Sequence, residues 1–284
     1  MSTLSDLVAV EMAEPVDPRV TAMATAIAAK HGAASRAVLF YGSCLREAQL
    51  TGLMLDFYLI VSDYRATYPK RWMAAANRLI PPNVFPFEHH GLMAKYAVLS
   101  EGDFDRLNGP ATRNVSVWAR FAQPARLVWM SNAAARDRAI SAVAKAAPTL
   151  LGAAGQRAGE DLLDWWRRAF TLTYSAELRA ERKGRSQSVV DADPDRYRRF
   201  GKAALPLIRK NSGQWGRRRI EGKALSVVRL AKASATYAGG ADYIAWKINR
   251  HSGTKIVLNA WQKRHPLLAA ISLLPRLLKS GAIR

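Results

Sequence analysis

The stretch that most constrains this chain is residues 36–63, RAVLFYGSCLREAQLTGLMLDFYLIVSD. Ala37-Val38-Leu39-Phe40-Tyr41 is an unbroken apolar run of strand length and predicts a buried strand. Gly42-Ser43 breaks the run with a tight turn, and Leu45-Arg46-Glu47-Ala48 predicts the start of a helix. Met54 to Val61 predicts a second strand, with Asp56 near its start. A small Gly-Ser turn lets backbone N–H groups come close to a phosphate. A carboxylate about a dozen residues further on can then hold the Mg²⁺ that bridges such phosphates. The plain alternative is a βαβ-like unit with an ordinary turn and a structural Asp at a strand end.

The charge balance narrows the partner. The 284 residues, long enough for one large or two smaller domains, carry 43 Lys+Arg against 22 Asp+Glu, a formal net of +21, which points to nucleic acid or an anionic membrane surface. The single cysteine, Cys44, excludes an intrachain disulfide and predicts a reducing compartment. The first fifteen residues are acidic and lack the apolar run of a signal peptide. The uncharged stretch from Pro266 to Pro275 is far shorter than the ~18 apolar residues that span a bilayer.

The chain divides by pattern into 1–132, mixed α/β; 133–209, helical; and 210–284, a basic tail. Residues 1–18 are acidic, contain Pro15 and Pro18, and read as loose at the start. Helices are predicted over Val20–Lys30, Tyr68–Ile80, Val115–Phe121, Ala134–Ala147, Gly159–Arg185 and Arg196–Leu207, and after an N-cap at Ser100. Further strands are predicted at 83–88, 94–99 and 125–130. The tail holds 15 basic residues against Glu221 and Asp242, with Trp215, Tyr237, Tyr243, Trp246 and Trp261 interleaved. Basic residues opposite Trp and Leu describe a helix lying on an anionic bilayer. RNA binding, or a solvated basic face over a helical core, would use the same residues.

Strand, Gly-Ser turn, short helix and strand with Asp resembles the active-site layout of the polymerase-β-like nucleotidyltransferases. Four segments together resemble the mitochondrial-type, peripheral phosphatidate cytidylyltransferases, in a bacterial branch. They are Tyr41-Gly42-Ser43, Met54-Leu55-Asp56-Phe57, Lys95-Tyr96-Ala97-Val98 and Thr173 to Glu181. Ala97 and Cys44 stand where the family has Gly, and Glu177 where it has Asp. The resemblance covers residues 40–200 and implies an α+β fold: a nucleotidyltransferase mixed sheet with helices, then a mostly helical part and a basic amphipathic C-terminal region. It implies CTP and phosphatidate, or a related lipid phosphate, as substrates, and CDP-diacylglycerol with pyrophosphate as products. It also implies a peripheral place on the cytoplasmic face of the inner membrane, with no nucleic acid favoured.

In that reading Asp56 holds Mg²⁺, and Glu88 is the candidate for a second metal carboxylate because Tyr58 fills the second D-x-D position. Gly42, Ser43, Arg46, Lys95 and Tyr96 bind the nucleotide, with Asp56, Lys95 and Ser43 the catalytic set. Arg179 and Lys183 contact the acceptor phosphate. Two other classes explain part of the pattern: a nucleotidyltransferase acting on RNA or a soluble small molecule, and a non-catalytic basic adaptor. His89-His90 lacks a metal-ligand framework, and Cys44 and Trp165-Trp166 read as packing residues.

Overall fold

A computed structural model describes residues 2–46, 50, 52–177, 189–209 and 214–236. It is α+β, built on one mixed five-stranded sheet. The strands are β1 (Ser35–Tyr41), β2 (Met54–Val61), β3 (Asn83–His89), β4 (Leu92–Ser100) and β5 (Ala125–Met130), in the order β3-β4-β2-β1-β5. Neighbours are antiparallel except β2 and β4, which run parallel. That pairing needs a crossover, which α3 (Tyr64–Thr67), α4 (Arg71–Leu79) and β3 supply.

Strand alternation divides the apolar residues between two cores. Val38, Phe40, Phe57, Leu59, Tyr96 and Val98 face α2 (Pro18–Lys30) and α3–α4. α2 starts as its sequence dictates, with Asp17 as N-cap and Pro18 in the first turn. On the other face Ala37, Leu39, Tyr58, Ile60, Ala97 and Leu99 are covered by helices. These are α1 (Leu4–Met12), α5 (Glu101–Asn108), α6 (Trp118–Phe121), α7 (Ala133–Ala144), α8 (Ala146–Ala154), α9 (Leu162–Ala176) and α10 (Pro194–Ala204). One continuous core thus crosses the boundary that the sequence pattern sets at 132/133. α11 (Trp215–Thr236) lies over the end of α9 and the start of β3. Among the described residues no helix is long and apolar enough to cross a membrane.

Several expectations need correcting. Residues 4–12 are helical, not loose: Thr3 and Asp6 form a reciprocal capping box, and Leu4, Val8 and Met12 recur at helical spacing on the buried side. The helix expected over Gly159–Arg185 begins at Leu162 and ends at Ala176, where Glu177 turns extended; 178–188 lie outside the described residues. The tail beyond Thr236 also lies outside them.

One buried ion pair ties the N-terminal helix to the last helix of the covering layer. Arg196, only 3% exposed, grips Glu11 through Nε and Nη2 and donates Nη1 to the Ala122 carbonyl at 3.1 Å. Its guanidinium also stacks 4.2 Å from the Phe200 ring centroid. Burial opposes the charge, but the hydrogen bonds to Glu11 and the surrounding charges outweigh it and raise the Arg196 pKa. Removing one partner strands the other charge. Glu11→Ala is expected to lower the unfolding free energy by about 3–5 kcal/mol, read as a shift in the urea midpoint. A midpoint equal to wild type would remove this pair from the account of the fold.

Candidate active site

Three side chains form a row across the sheet on the face covered by the helices. Tyr41 of β1 is in register with Asp56 of β2, and Asp56 with Lys95 of β4. The parallel register places Lys95 Nζ 2.7 Å from Asp56 Oδ1. The contact is close but not aligned as a hydrogen bond, so Oδ1 is buried without a hydrogen-bond partner. The other oxygen packs against the turn that follows β1. Gly42 has φ +98°, and a Cβ there would stand 3.2 Å from Asp56 Oδ2. Glycine is needed twice over, for the backbone angle and for the space. Ser43 opens a 3₁₀ turn, Ser43–Arg46, beside it. Cys44 points away into the α2-side core.

Next to this row lies a cavity of about 140 Å³. Tyr41, Tyr58 and Ala97 line it from the sheet, and four of its ten lining residues are cationic: Lys95, Arg120, Arg229 and Lys232. None is acidic. Arg120 comes from α6, and Arg229 and Lys232 from α11. Arg229 is anchored by Nε and Nη2 on the Pro81 carbonyl, at 3.0 and 2.7 Å, and by Nη1 on Ser116 Oγ at 3.0 Å. Lys232 Nζ donates to the Pro82 carbonyl at 2.8 Å and to that of Ile80. Glu177, at the end of α9, is buried with Oε1 3.8 Å from Arg120 Nη1.

The electrostatics follow from this crowding. Burial, and then the nearby Asp56, raises the Tyr41 pKa well above the ordinary phenol value. Burial works against the Arg120 charge, but Tyr58, Glu177, Tyr41 and Asp56 outweigh it and raise its pKa. Burial pulls the Arg229 pKa down. Burial and the Arg229 charge push the Lys232 ammonium from 10.5 down to about 7. A cluster of this kind favours an anion, whose charge would relieve the mutual repulsion of the cations.

The structure brings Gly42, Ser43, Asp56 and Lys95 together, and separates Tyr96 and Glu88 from them. Tyr96 is a correction: successive strand residues point to opposite faces. Its side chain is buried on the α2 side, where its hydroxyl lies 3.1 Å from His31 Nε2. Glu88 is a second correction. It is exposed on edge strand β3, with β4 between it and β2, two residues beyond the position opposite Lys95. That places its Cα on the order of 12 Å from that of Asp56. The carboxylate described nearest the cavity's cations, besides Asp56, is Glu177, which stands behind Arg120. Among the described residues no three His, Cys, Asp or Glu side chains converge as a metal cluster. Arg46 ends the 3₁₀ turn, and its side chain is outside the described set, as are Arg179 and Lys183 altogether.

Arg120, Arg229 and Lys232 are the residues that the sequence reading missed. A signal existed for two of them. Arg218, Gly222, Arg229 and Lys232 recur at helical spacing on one side of α11, and that side faces inward. Arg218 is 2% exposed and donates Nη1 to the carbonyls of Thr112 and Arg113 at 3.1 and 3.0 Å. Gly222 lets the helix approach α9 closely, since a Cβ there would collide with the Ala176 carbonyl. No comparable pattern marks Arg120 in its four-residue helix.

Two measurements follow from this geometry. Gly42→Ala is expected to cost at least about 1–2 kcal/mol in unfolding free energy and to displace Asp56; wild-type stability would mean that the turn relaxes freely. For Lys232 the folded pKa lies below the unfolded one. Its stability contribution is therefore complete above about 10.5, declines as pH falls, and is lost below about 7. The stability difference between wild type and Lys232→Met should change between pH 7 and 10 and stay flat from 5 to 6.5. A difference independent of pH would show that Lys232 titrates normally.

The sequence matches no protein-family model and no curated protein, so a functional reading rests on the chemistry of the site itself.

Proposed function

We propose that the chain is a nucleotidyltransferase of the polymerase-β-like kind that moves a cytidylyl group from CTP to a lipid phosphate, phosphatidate or a close relative. One observation carries the reading: the Asp56 carboxylate, packed beneath a left-handed Gly42 turn and held in register against Lys95. That arrangement sets a phosphate-sized backbone turn, a carboxylate and a cation at the same end of adjacent strands.

Asp56 suits Mg²⁺. It is a hard oxygen donor whose buried Oδ1 has Lys95 Nζ at 2.7 Å but no hydrogen-bond partner. When bound, the metal would neutralise charge on the triphosphate. The chain's own residues supply the rest. The Gly42-Ser43 turn offers N–H and hydroxyl donors to the triphosphate, and Lys95 offsets negative charge where it develops. Arg120 and Arg229 are held by their carbonyl and hydroxyl partners, so little reorganisation is needed when an anion arrives. In the reaction, an oxygen of the lipid phosphate forms a bond to the α-phosphorus and the α–β bridging bond breaks. Pyrophosphate leaves with that electron pair. The attacking group is already an anion, so the step calls for no general base.

The outer face of α11 supports a lipid acceptor. Ile220 is 74% exposed, and with Ala224, Val227 and Val228 it makes an outward apolar stripe flanked by Arg217, Arg219 and Lys223. Such a face suits an anionic bilayer, and peripheral attachment at the cytoplasmic surface belongs to the same proposal.

The test is pyrophosphate release with each of the four NTPs and Mg²⁺, with and without phosphatidate in mixed micelles. CTP- and lipid-dependent release is expected, falling roughly 100- to 1,000-fold in Asp56→Asn. Release that needs RNA or a soluble acceptor would move the chain to a different nucleotidyltransferase class. No release with any NTP would overturn the reading.

A further inference from the structure

The geometry points to a separate phosphomonoester subsite in the cavity between the sheet and α11, held by Arg229, Lys232 and Arg120, distinct from the Gly42-Ser43 turn. Three observations converge on it. The first is size. A cavity of about 140 Å³ is well below the ~300–1,000 Å³ typical of whole small-molecule sites, so it holds one phosphate group with the rest of the ligand outside it. The second is charge. Four cations line the cavity, and the carboxylates described beside them are Asp56 at Lys95 and Glu177 at Arg120, so cations outnumber carboxylates among the described residues. A phosphomonoester carries close to −2 near neutral pH, whereas a phosphodiester carries −1. The third is donor geometry. The partners described for Arg229 are all neutral, and they take three of its five N–H groups, fixing the plane of the guanidinium while two N–H groups remain.

The ligand class is therefore a molecule with a terminal phosphomonoester whose remainder extends beyond the cavity. A lipid phosphate and a soluble sugar or glycerol phosphate share that chemistry. The inference rests on the nucleotidyl-transfer reading only in taking this phosphate to be the acceptor, and it explains why α11 contributes from both sides. Its inner face would hold the phosphate while its outer stripe rests on the surface from which a lipid phosphate comes.

The experiment titrates glycerol 3-phosphate into wild type, Arg229→Gln, Arg229→Lys and Arg217→Gln by calorimetry, with glycerophosphocholine as the phosphodiester comparison. Circular dichroism melts confirm that each variant is folded. Saturable binding of glycerol 3-phosphate is expected, at least tenfold tighter than glycerophosphocholine. It should weaken tenfold or more in Arg229→Gln and less in Arg229→Lys, and remain unchanged in Arg217→Gln. CTP should bind alongside the monoester and not displace it. Equal binding by wild type and a folded Arg229→Gln would overturn the subsite, as would stoichiometric displacement of the monoester by CTP in the wild type. Micelles of phosphatidate against free glycerol 3-phosphate then separate a lipid source from a soluble one. The two readings fail separately. Monoester binding that depends on Arg229 without pyrophosphate release leaves the subsite and removes the transferase. Release in which Arg229→Gln raises the KM for CTP but not for the acceptor does the opposite.

Discussion

The parallel pairing of β2 with β4 is the constraint on which the rest of the site depends. β2 reads MLDFYLIV and is flanked on both sides, so its one carboxylate stands among apolar residues. A carboxylate in such a place is costly unless a cation meets it. The register supplies one, because Asp56 and Lys95 are partners across the β2–β4 ladder. Slipping that ladder by a single residue would turn Asp56 into the core against α2 and carry Tyr58 off the floor of the cavity. Charge and register thus enforce one another, and β1 follows through the contact between Gly42 and Asp56.

Much of this was legible in the sequence, for local reasons. The apolar runs of β1 and β2, the N-cap at Ser100 that starts α5, Pro194 at the start of α10, and the proximity of Gly42, Ser43 and Asp56 all rest on neighbours close in the chain. Asp17-Pro18, which starts α2 two residues before the expected Val20, is a local signal that was passed over. Lys95 was legible as a cation among apolar strand residues. Tyr96 was misplaced although strand alternation forbids two adjacent residues from sharing a face, so that correction was available from the sequence. Glu88 could not be judged without knowing that β4 lies between β2 and β3, an order that no local pattern encodes. The cations of the cavity were hidden for another reason. Their meeting depends on how α11 packs against the end of α9, which Gly222 permits and which only the folded chain displays.

α11 shows how misleading a count of charges can be. The basic tail reads as one electropositive surface, yet Arg218, Arg229 and Lys232 turn inward to carbonyls and the cavity. Arg217, Arg219 and Lys223 remain outside. One helix therefore carries two populations of cation with different chemistry. The inner ones are fixed and partly dehydrated, and salt screens them weakly. The outer ones are solvated and respond to ionic strength.

The bond between Glu11 and Arg196 also sets an order of assembly. Its partners are 185 residues apart in the chain. The helices from α6 to α10 that cover the site face of the sheet all emerge after β4. At ordinary rates of synthesis, roughly 4–15 s separate the completion of β5 from that of α10. During that interval α1 has no Arg196 to hold it, and the carboxylate-bearing face of the sheet lacks its final cover. The nascent chain thus passes through an interval in which α1, α5 and α6 can already cover Leu39, Tyr58 and Leu99 but the helices that complete the layer do not yet exist.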